Sequence, residues 1–244
     1  MSRFLLFLVI SISVFESRGQ EKPIETDRPD QSDGASIVEK NKFQFETSFY
    51  FNHFKTESPA YISSSLLRYG IFKNVEFRVL VEQGVNRDIY ISETTQGQYP
   101  LAISSKISLL KDAARFPDIS LVAYLQLPFT NAAEKSQWSP AFFLIVEKEW
   151  KSITLTLNGG PKEQAFEHEW VFQASGDIRC KVTPRCNLFG EYFAEYGHDQ
   201  PMHNIDAGVV YYINPHFSVQ LSAGSTIFYT ASNFFANTGF AFQL

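Results

Sequence analysis

Cysteine, helical periodicity and long apolar runs are all scarce in this chain. Its 244 residues include two cysteines, and nowhere after residue 20 is there an apolar run of the roughly 20 residues that a membrane-spanning helix needs. Long helical patterns with capping residues are absent as well. The net charge of −5 is small and dispersed, which argues against a nucleic-acid partner. The sequence therefore predicts neither a helical membrane protein nor a nucleic-acid-binding protein.

The first 42 residues carry no strand pattern. Residues 1–19 have the features of a secretory signal, with Arg3 ahead of an apolar core at 4–15 and small residues within 17–19. That core is too short to span a membrane, and no cysteine follows it, which argues against a lipid anchor. Residues 20–42 are polar and aperiodic. We expect an exported chain with an extended periplasmic leader over residues 20–42.

Beyond residue 42 the dominant pattern is an alternation of apolar and polar residues. After a turn at residues 72–74, an apolar row of valines and Phe77 alternates with Glu76, Arg78 and Glu82. A period of two is typical of a strand with one apolar and one polar face. The same pattern predicts twelve strands, at residues 43–52, 61–71, 75–82, 101–109, 119–127, 138–146, 153–158, 170–181, 186–195, 205–212, 217–223 and 234–244.

Short and long connections alternate between these strands. Short turns are predicted near residues 73, 114, 150, 184 and 215, and longer loops near 57, 90, 132, 163, 199 and 230. Outer-membrane barrels are built this way, and closing the sheet removes edges that would aggregate. We therefore predict an all-β protein in which residues 43–244 form a single closed antiparallel transmembrane β-barrel of about 12 strands, with short periplasmic turns and longer extracellular loops.

Aromatic residues make up 16% of the chain, with 24 Phe and 11 Tyr. Many cluster near strand ends, as at Phe49–Phe51 and Tyr211–Tyr212, and Trp138, Trp150 and Trp170 lie near strand ends or turns. Outer-membrane barrels place such residues in girdles at the two membrane interfaces. The alternative is ordinary aromatic packing in a core.

Three short motifs resemble a known family. Residues 26–31 read Thr-Asp-Arg-Pro-Asp-Gln, residues 43–47 read Phe-Gln-Phe-Glu-Thr, and residues 66–70 read Leu-Leu-Arg-Tyr-Gly. This combination resembles the bacterial outer-membrane transporter family labelled "MetA-pathway of phenol degradation". The chain departs from the family pattern at residues 32–33, Ser-Asp instead of Thr-Glu, and at its last residue, Leu244 instead of Phe. The resemblance implies an outer-membrane channel or transporter, and its link to aromatic compounds comes from the family's label alone.

The polar rows of the strands are expected to face the barrel interior. Candidate lumen or pore-lining residues carry charges of both signs: Glu46, Arg68, Glu76, Arg78, Glu82, Lys106, Glu191, Glu195 and Asp206, with Glu147, Asp177, Arg179 and Lys181 on the same face. Such charges either pair across a narrow barrel as a structural network or line a polar pore. Barrels of eight strands are filled and barrels of about 16 are open, so twelve strands leave both alternatives.

The leader carries charges of both signs just before the first strand, at Asp27, Arg28, Pro29 and Asp30. We expect this motif to fold into or against the barrel mouth and to pair with lumen charges such as Arg68, Arg78, Glu46 or Glu76. Pro29 would hold the motif extended. The alternative is a periplasmic tail without fixed contacts.

Cys180 and Cys186 fall on the same face of neighbouring strands, on either side of the turn at Pro184. An oxidising, exported location favours a disulfide between them. Their spacing matches no zinc pattern, so we expect no metal there.

Catalytic motifs are lacking. The chain contains no Gly-x-Ser-x-Gly, no phosphate-binding loop and no zinc-protease motif. Outer-membrane phospholipases are also twelve-stranded barrels with a Ser-His pair, but no His-x-Ser with a nearby Asn-Gly occurs here. His198, Asp199 and His203, with residues 167–169, could form a metal or acid–base site, although solvated side chains are the default in polar loops. We expect no enzyme and no cofactor.

These observations together predict a channel or transporter in the outer membrane of a Gram-negative bacterium. It would pass small molecules, with hydrophobic or aromatic solutes as the finer expectation. Its other expected partners are outer-membrane lipid and, during insertion, the barrel-assembly machinery. Two alternatives remain: a plugged barrel with a structural or surface-interaction role, and a membrane-embedded hydrolase.

Overall fold

The computed structural model describes residues 22–27, 31–54, 59–85, 97–98, 101–113, 115–128, 137–166, 169–197, 201–228 and 233–244. The predicted signal at residues 1–19 lies outside them. Within the described residues the chain forms thirteen β-strands: β1 Phe43–Phe54, β2 Ala60–Phe72, β3 Val75–Val85, β4 Gly97–Gln98, β5 Ala102–Leu110, β6 Asp118–Gln126, β7 Ser139–Trp150, β8 Ile153–Glu163, β9 Trp170–Thr183, β10 Cys186–Tyr196, β11 Met202–Asn214, β12 Phe217–Ile227 and β13 Asn233–Gln243. In this part of the chain no helix has the length and apolarity to cross a membrane.

Twelve of the strands that the structure describes close into a barrel, and β4 is a two-residue extension paired with β3. Strands adjacent in the sequence pair antiparallel, and β3 continues to β5 past the short β4. The sheet closes where β1 pairs with β13, from Gln44 opposite Gln243 to Phe54 opposite Asn233. This arrangement confirms the predicted fold class, and it leaves the backbone groups of both terminal strands paired.

The two ends of the barrel differ in the length of their connections. At one end, which we name the short-turn end, lie turns at residues 73–74, 111–117, 151–152, 184–185 and 215–216. β1 also begins there and β13 ends there. At the opposite end, which we name the long-loop end, the stretches of chain between strands are longer: residues 55–59, 86–96, 99–101, 127–138, 164–169, 197–201 and 228–232. The predicted loops near 57, 90, 132, 199 and 230 lie wholly or mostly outside the described residues.

The predicted alternation of faces is present in the strands. In β1, Gln44, Glu46 and Ser48 are buried inside the barrel, whereas Phe43 and Phe49 are exposed on its outer surface. The tryptophans Trp138, Trp150 and Trp170 are likewise exposed, at the ends of strands. Apolar side chains outside and polar ones inside are the arrangement that a barrel surrounded by lipid requires.

Most strands are longer than the sequence predicts, and β8 shows one of the largest extensions. Residues 159–161, Gly-Gly-Pro, were expected to form a loop because glycine and proline interrupt strands, but β8 continues through them to Glu163. At Gly160 the two strands approach so closely that a Cβ atom would lie 1.7 Å from the carbonyl oxygen of Phe142. Because glycine has no Cβ atom, Gly160 allows β8 to continue beside β7 here. β7 also extends to Trp150, which shortens the turn that follows it.

The interior is not uniformly polar. Leu66, Leu80 and Ala102 form a buried apolar cluster against the ring of Tyr124. A second cluster, nearer the short-turn end, combines four wall residues with Ile24 of the leader: Phe189, Val210, Tyr212 and Ala241. Ala35 of the leader packs against Val122 and Ile145 in a third. The described leader residues, 22–27 and 31–42, therefore contact the inner wall of the barrel rather than forming a free tail.

Candidate functional site

The leader enters and leaves the barrel at the short-turn end. The N–H of Ile24 donates to the carbonyl oxygen of Pro215, in a short turn, over 2.9 Å. After passing through the interior, the chain reaches the wall at Lys40, which forms a parallel bridge with Gly70. The N–H of Gly34 donates to the carboxylate of Asp27 over 2.9 Å, which ties the two arms of the leader together.

Asp27 lies among three cations of the wall. Its carboxylate is 2.6 Å from Lys106 Nζ, 3.1 Å from a terminal nitrogen of Arg68 and 3.4 Å from Arg78. The three cations belong to β5, β2 and β3, and all four side chains are buried. Buried charges of this kind are tolerated only when they are paired and hydrogen-bonded.

A second leader carboxylate, Asp33, meets the same wall. It accepts hydrogen bonds from Arg78 over 2.9 Å and from the hydroxyl of Tyr124 over 3.1 Å. The guanidinium of Arg78 also lies 5.2 Å from the centre of the Tyr124 ring, within the range of a cation–π interaction. Asp33 therefore links the leader to both β3 and β6.

Wall carboxylates hold the leader through its backbone. The N–H of Asp27 donates to Glu46 over 2.8 Å, that of Gln31 to Glu191 over 3.0 Å, and that of Val38 to Glu76 over 2.6 Å. These carboxylates replace the partners that the N–H groups of an extended segment would otherwise find in a sheet. They account for much of the acidic row that the sequence places on the polar face.

Wall donors satisfy the leader carbonyls in the same way. Arg68 donates to the carbonyl of Ser36 over 3.1 Å, and Lys106 donates to that of Gly34 over 2.8 Å. Ser120 donates to the carbonyl of Ala35 over 2.6 Å. The leader is thus bound on both sides of its backbone, much as a strand is bound in a sheet.

The motif at residues 66–70 meets the leader at Arg68 and at Gly70. Arg68 bonds Glu76 and Glu46 of the wall, each at 2.9 Å, in addition to Asp27. At Gly70 an added Cβ atom would lie 2.1 Å from the carbonyl oxygen of Glu39, so only glycine leaves room for the leader. Arg68 therefore pairs with the charge of Asp27, and Gly70 allows the leader backbone to approach the wall closely.

Electrostatics favour the ionised form of Asp27. Burial opposes ionisation, but Arg68 and Lys106 outweigh it and hold the pKa of Asp27 below its ordinary value. Within the described cluster, the carboxylates of Asp27, Asp33, Glu46 and Glu76 face the cations of Arg68, Arg78 and Lys106. Asp27 is the carboxylate within hydrogen-bonding distance of Lys106, so removing it takes away that ion pair.

The structure places the sequence-predicted residues as follows. Eight of the predicted lumen residues are buried inside the barrel: Glu46, Arg68, Glu76, Arg78, Lys106, Asp177, Glu191 and Asp206. Glu82 is partly exposed beside a cavity, and Glu195 pairs with Lys162 over 2.9 Å. Asp27 makes the predicted contact with Arg68, whereas Arg28, Pro29 and Asp30 lie outside the described residues.

Three contributors were not recognised in the sequence. Asp33 stood out only as a departure from the family motif, Tyr124 lay unremarked within the predicted strand 119–127, and Lys162 fell in a predicted loop. A signal existed for Asp33, because it lies six residues after Asp27 on a segment already expected to meet cations. Lys162 had none, since its place on the inner wall depends on β8 continuing through Gly160.

A cavity of about 120 Å³ lies between the leader and the long-loop half of the wall. Its apolar side includes Leu80, Tyr124 and Phe143, and its polar side includes Gln31 and Asp33 of the leader. A larger cavity of about 530 Å³ lies at the short-turn end, lined by both arms of the leader and by the turns. The leader therefore lies between two cavities of the interior.

The cysteines do not form the predicted disulfide. Cys180 and Cys186 are free thiols in the structure. Their strands are neighbours, but Cys180 pairs with Leu188, and Cys186 pairs with Thr183 beside a shift of register. The two cysteines are therefore diagonal neighbours, roughly 7–8 Å apart, beyond the usual Cα separation of a disulfide.

The histidine-containing stretches form no common site in the described structure. His203 lies on β11, facing the outer surface, where its Nδ1 is 2.6 Å from the hydroxyl of Tyr192. His198, Asp199 and residues 167–168 lie outside the described residues. Among the residues that are described, no group of three or more histidines, cysteines and acids could hold a metal ion.

Fold and site together define an outer-membrane β-barrel whose interior holds its own N-terminal segment. Residues 26–244 match the family model described as "Putative MetA-pathway of phenol degradation", and the chain belongs to that family. No curated protein matches the chain.

Solved structures share the fold at low sequence identity. An outer membrane channel from Pseudomonas putida F1 is 11% identical, with a TM-score of 0.66, and the match covers 90% of this chain and all 100% of that one. The NanC porin is 7% identical with a TM-score of 0.61, over 82% of this chain and 100% of that one. The KdgM porin is 8% identical with a TM-score of 0.58, over 81% and 98%. At such identities the likeness shows the fold alone.

Proposed function

We propose that the protein is a channel for small molecules in the outer membrane of a Gram-negative bacterium, closed in this structure by its own leader. The observation that carries the proposal is the position of the leader between the two interior cavities. A barrel needs no such segment to close its sheet, because β1 already pairs with β13. Apart from the apolar packing of Ile24 and Ala35, the leader's contacts are hydrogen bonds and ion pairs, which can be broken without unfolding the wall.

The finer proposal concerns the solute. The cavity on the long-loop side of the leader has aromatic and aliphatic groups along one side, which supports a small hydrophobic or aromatic solute. This role is non-enzymatic and needs no cofactor. The surrounding lipid and the barrel-assembly machinery remain the other proposed partners.

Single-channel conductance in a planar bilayer tests the proposal. Mature protein is compared with a variant lacking residues 21–33, which removes both Asp27 and Asp33. We expect discrete, reproducible steps that are rare in the mature protein and frequent in the deletion variant. Ion selectivity should also change, because the deletion leaves the wall cations Arg68, Arg78 and Lys106 without those two leader carboxylates.

A second role is favoured by the same contacts. A leader held by buried charges could be a permanent structural part, which would make the barrel a plugged structural or surface-interaction protein. Silence from both proteins, each shown to be folded, would favour that role over a channel.

A further inference from the structure

The cavity on the long-loop side is built jointly by the wall and the leader. Leu80, Tyr124 and Phe143 belong to the barrel strands, whereas Gln31 and Asp33 belong to the leader. If the leader left the barrel, the cavity would lose this part of its lining. A molecule bound there therefore contacts two parts of the chain that can separate.

The volume of the cavity limits the size of its occupant. It measures about 120 Å³. An engineered cavity of about 150 Å³ in another protein binds benzene. The space beside the leader therefore suits a single ring.

The residues that line the cavity favour a ring with one hydrogen-bonding group. Leu80, Tyr124 and Phe143 offer apolar contacts on one side. Gln126 and Gln173 also line the cavity, and neither side-chain amide has a hydrogen-bond partner among the described residues. By contrast, Asn158 is engaged with the backbone of Asp33 and Lys162 with Glu195, while the carboxylate of Glu82 also lines the cavity. The two free amides can bond a hydroxyl or carbonyl on the occupant.

We propose that this cavity binds a single-ring molecule carrying one hydrogen-bonding group, and that the bound molecule stabilises the docked leader. The inference rests on the proposed function in so far as the leader is what closes the channel. Because the docked leader completes the site, the two binding events favour each other, and each raises the affinity of the other by the same factor. Occupancy of the cavity then keeps the channel closed.

Binding of benzyl alcohol to the mature protein, measured by isothermal titration calorimetry, tests the site. Toluene lacks the hydrogen-bonding group and glucose lacks the apolar face, so both should bind about tenfold or more weakly, a difference of about 1.4 kcal/mol. Ala141→Leu fills the cavity from the wall and should weaken benzyl alcohol binding by a similar factor. Ala207→Leu adds the same atoms on the outer surface and should leave binding unchanged. Equal affinity of the two variants for benzyl alcohol would overturn the proposal that this cavity is the binding site.

The coupling is tested with the variant lacking residues 21–33, after its folded state is confirmed by gel mobility. It should bind benzyl alcohol about tenfold more weakly, and benzyl alcohol should slow proteolysis of the leader in the mature protein. Unchanged affinity in the deletion variant would overturn the coupling. The two proposals fail separately: a conducting protein that binds no benzyl alcohol removes this inference alone, and a binding protein that never conducts removes the channel alone.

Discussion

At the scale of single residues, the interior is organised around a small number of charges that have no access to bulk water. Asp27 is 1% exposed and the three cations around it are 1% exposed or less. A charge in such a place is stabilised only by its partners, so the effect of a substitution is set by what it leaves unpaired. Steric room for the backbone is equally important where the leader passes close to the wall.

Asp27→Asn should loosen the leader. The change removes the carboxylate shared by Lys106, Arg68 and Arg78, and we expect a loss of about 3 kcal/mol in the free energy of unfolding. Urea titration of the protein in lipid vesicles, followed by tryptophan fluorescence, measures it. Glu39→Gln is the matched control, because it neutralises an exposed carboxylate of the same leader. Equal effects of the two substitutions would refute the paired role of Asp27.

Gly70→Ala should also displace the leader, for a steric reason. The added Cβ atom would lie 2.1 Å from the carbonyl oxygen of Glu39, and relieving that overlap should cost about 2 kcal/mol of unfolding free energy. Gly190→Ala is the control, since the nearest atom to its Cβ would be 3.9 Å away. We expect the control to change the free energy of unfolding by less than about 0.5 kcal/mol. A comparable loss in both variants would show that replacing any strand glycine has this effect, and would refute the steric role of Gly70.

At the scale of the elements, the leader behaves like an extra strand laid against the inside of a barrel rather than added to its edge. Its N–H groups are accepted by carboxylates of β1, β3 and β10, and its carbonyls by donors of β2, β5 and β6. The wall is complete without it, which is why its docking can respond to conditions that leave the barrel intact.

Acid should release the leader. The pKa of Asp27 is lowered in the docked state, so its contribution is complete above the ordinary aspartate value of about 3.9 and is lost as pH falls below it. Arg68, Arg78 and Lys106 face Asp27 from the wall, as does Glu46, and Asp33 faces it from the leader.

Conductance recorded between pH 8 and pH 3 measures the release. We expect little change in the mature protein down to about pH 5 and frequent openings below about pH 4. Asp27→Asn should already be open at pH 7 and should respond less to acid. Openings that grow as pH rises above 7 would contradict the sign of this effect.

At the scale of the whole molecule, the closed sheet gives the barrel its resistance to unfolding. Every strand of the closed ring pairs with two neighbours, including β1 with β13. The described exterior carries large exposed apolar side chains such as Phe49, Leu157 and Leu221, as the lipid environment of an outer-membrane barrel requires.

We therefore expect unheated protein to migrate differently from boiled protein in SDS gels. The continuous antiparallel ladder has no open edge at which unfolding can begin, so the barrel should stay folded in SDS until it is heated. The variant lacking residues 21–33 should keep this behaviour, because the leader is not part of the ring. Identical migration before and after boiling would argue against the barrel.

Local patterning was sufficient to predict the twelve strands, their inward polar faces and the separation of short and long connections. Each depends on a period of two or on turn residues, and both can be read within about ten residues of chain. Where two strands approach unusually closely, the same reading was wrong: Gly159–Pro161 looks like a loop, yet glycine there permits the strand to continue. The register between β9 and β10 likewise places Cys180 and Cys186 diagonally rather than opposite each other, and local patterning does not determine that register.

The sequence by itself determined the barrel and the presence of a charged leader ahead of it. Only the tertiary structure decided that Asp27 meets Lys106, that Asp33 meets Arg78 and Tyr124, and that a cavity remains beside them. The physical reason is distance along the chain: strand patterning is a property of neighbouring residues, whereas these contacts join groups between 45 and 91 residues apart. Such contacts exist only once the ring has closed around the leader.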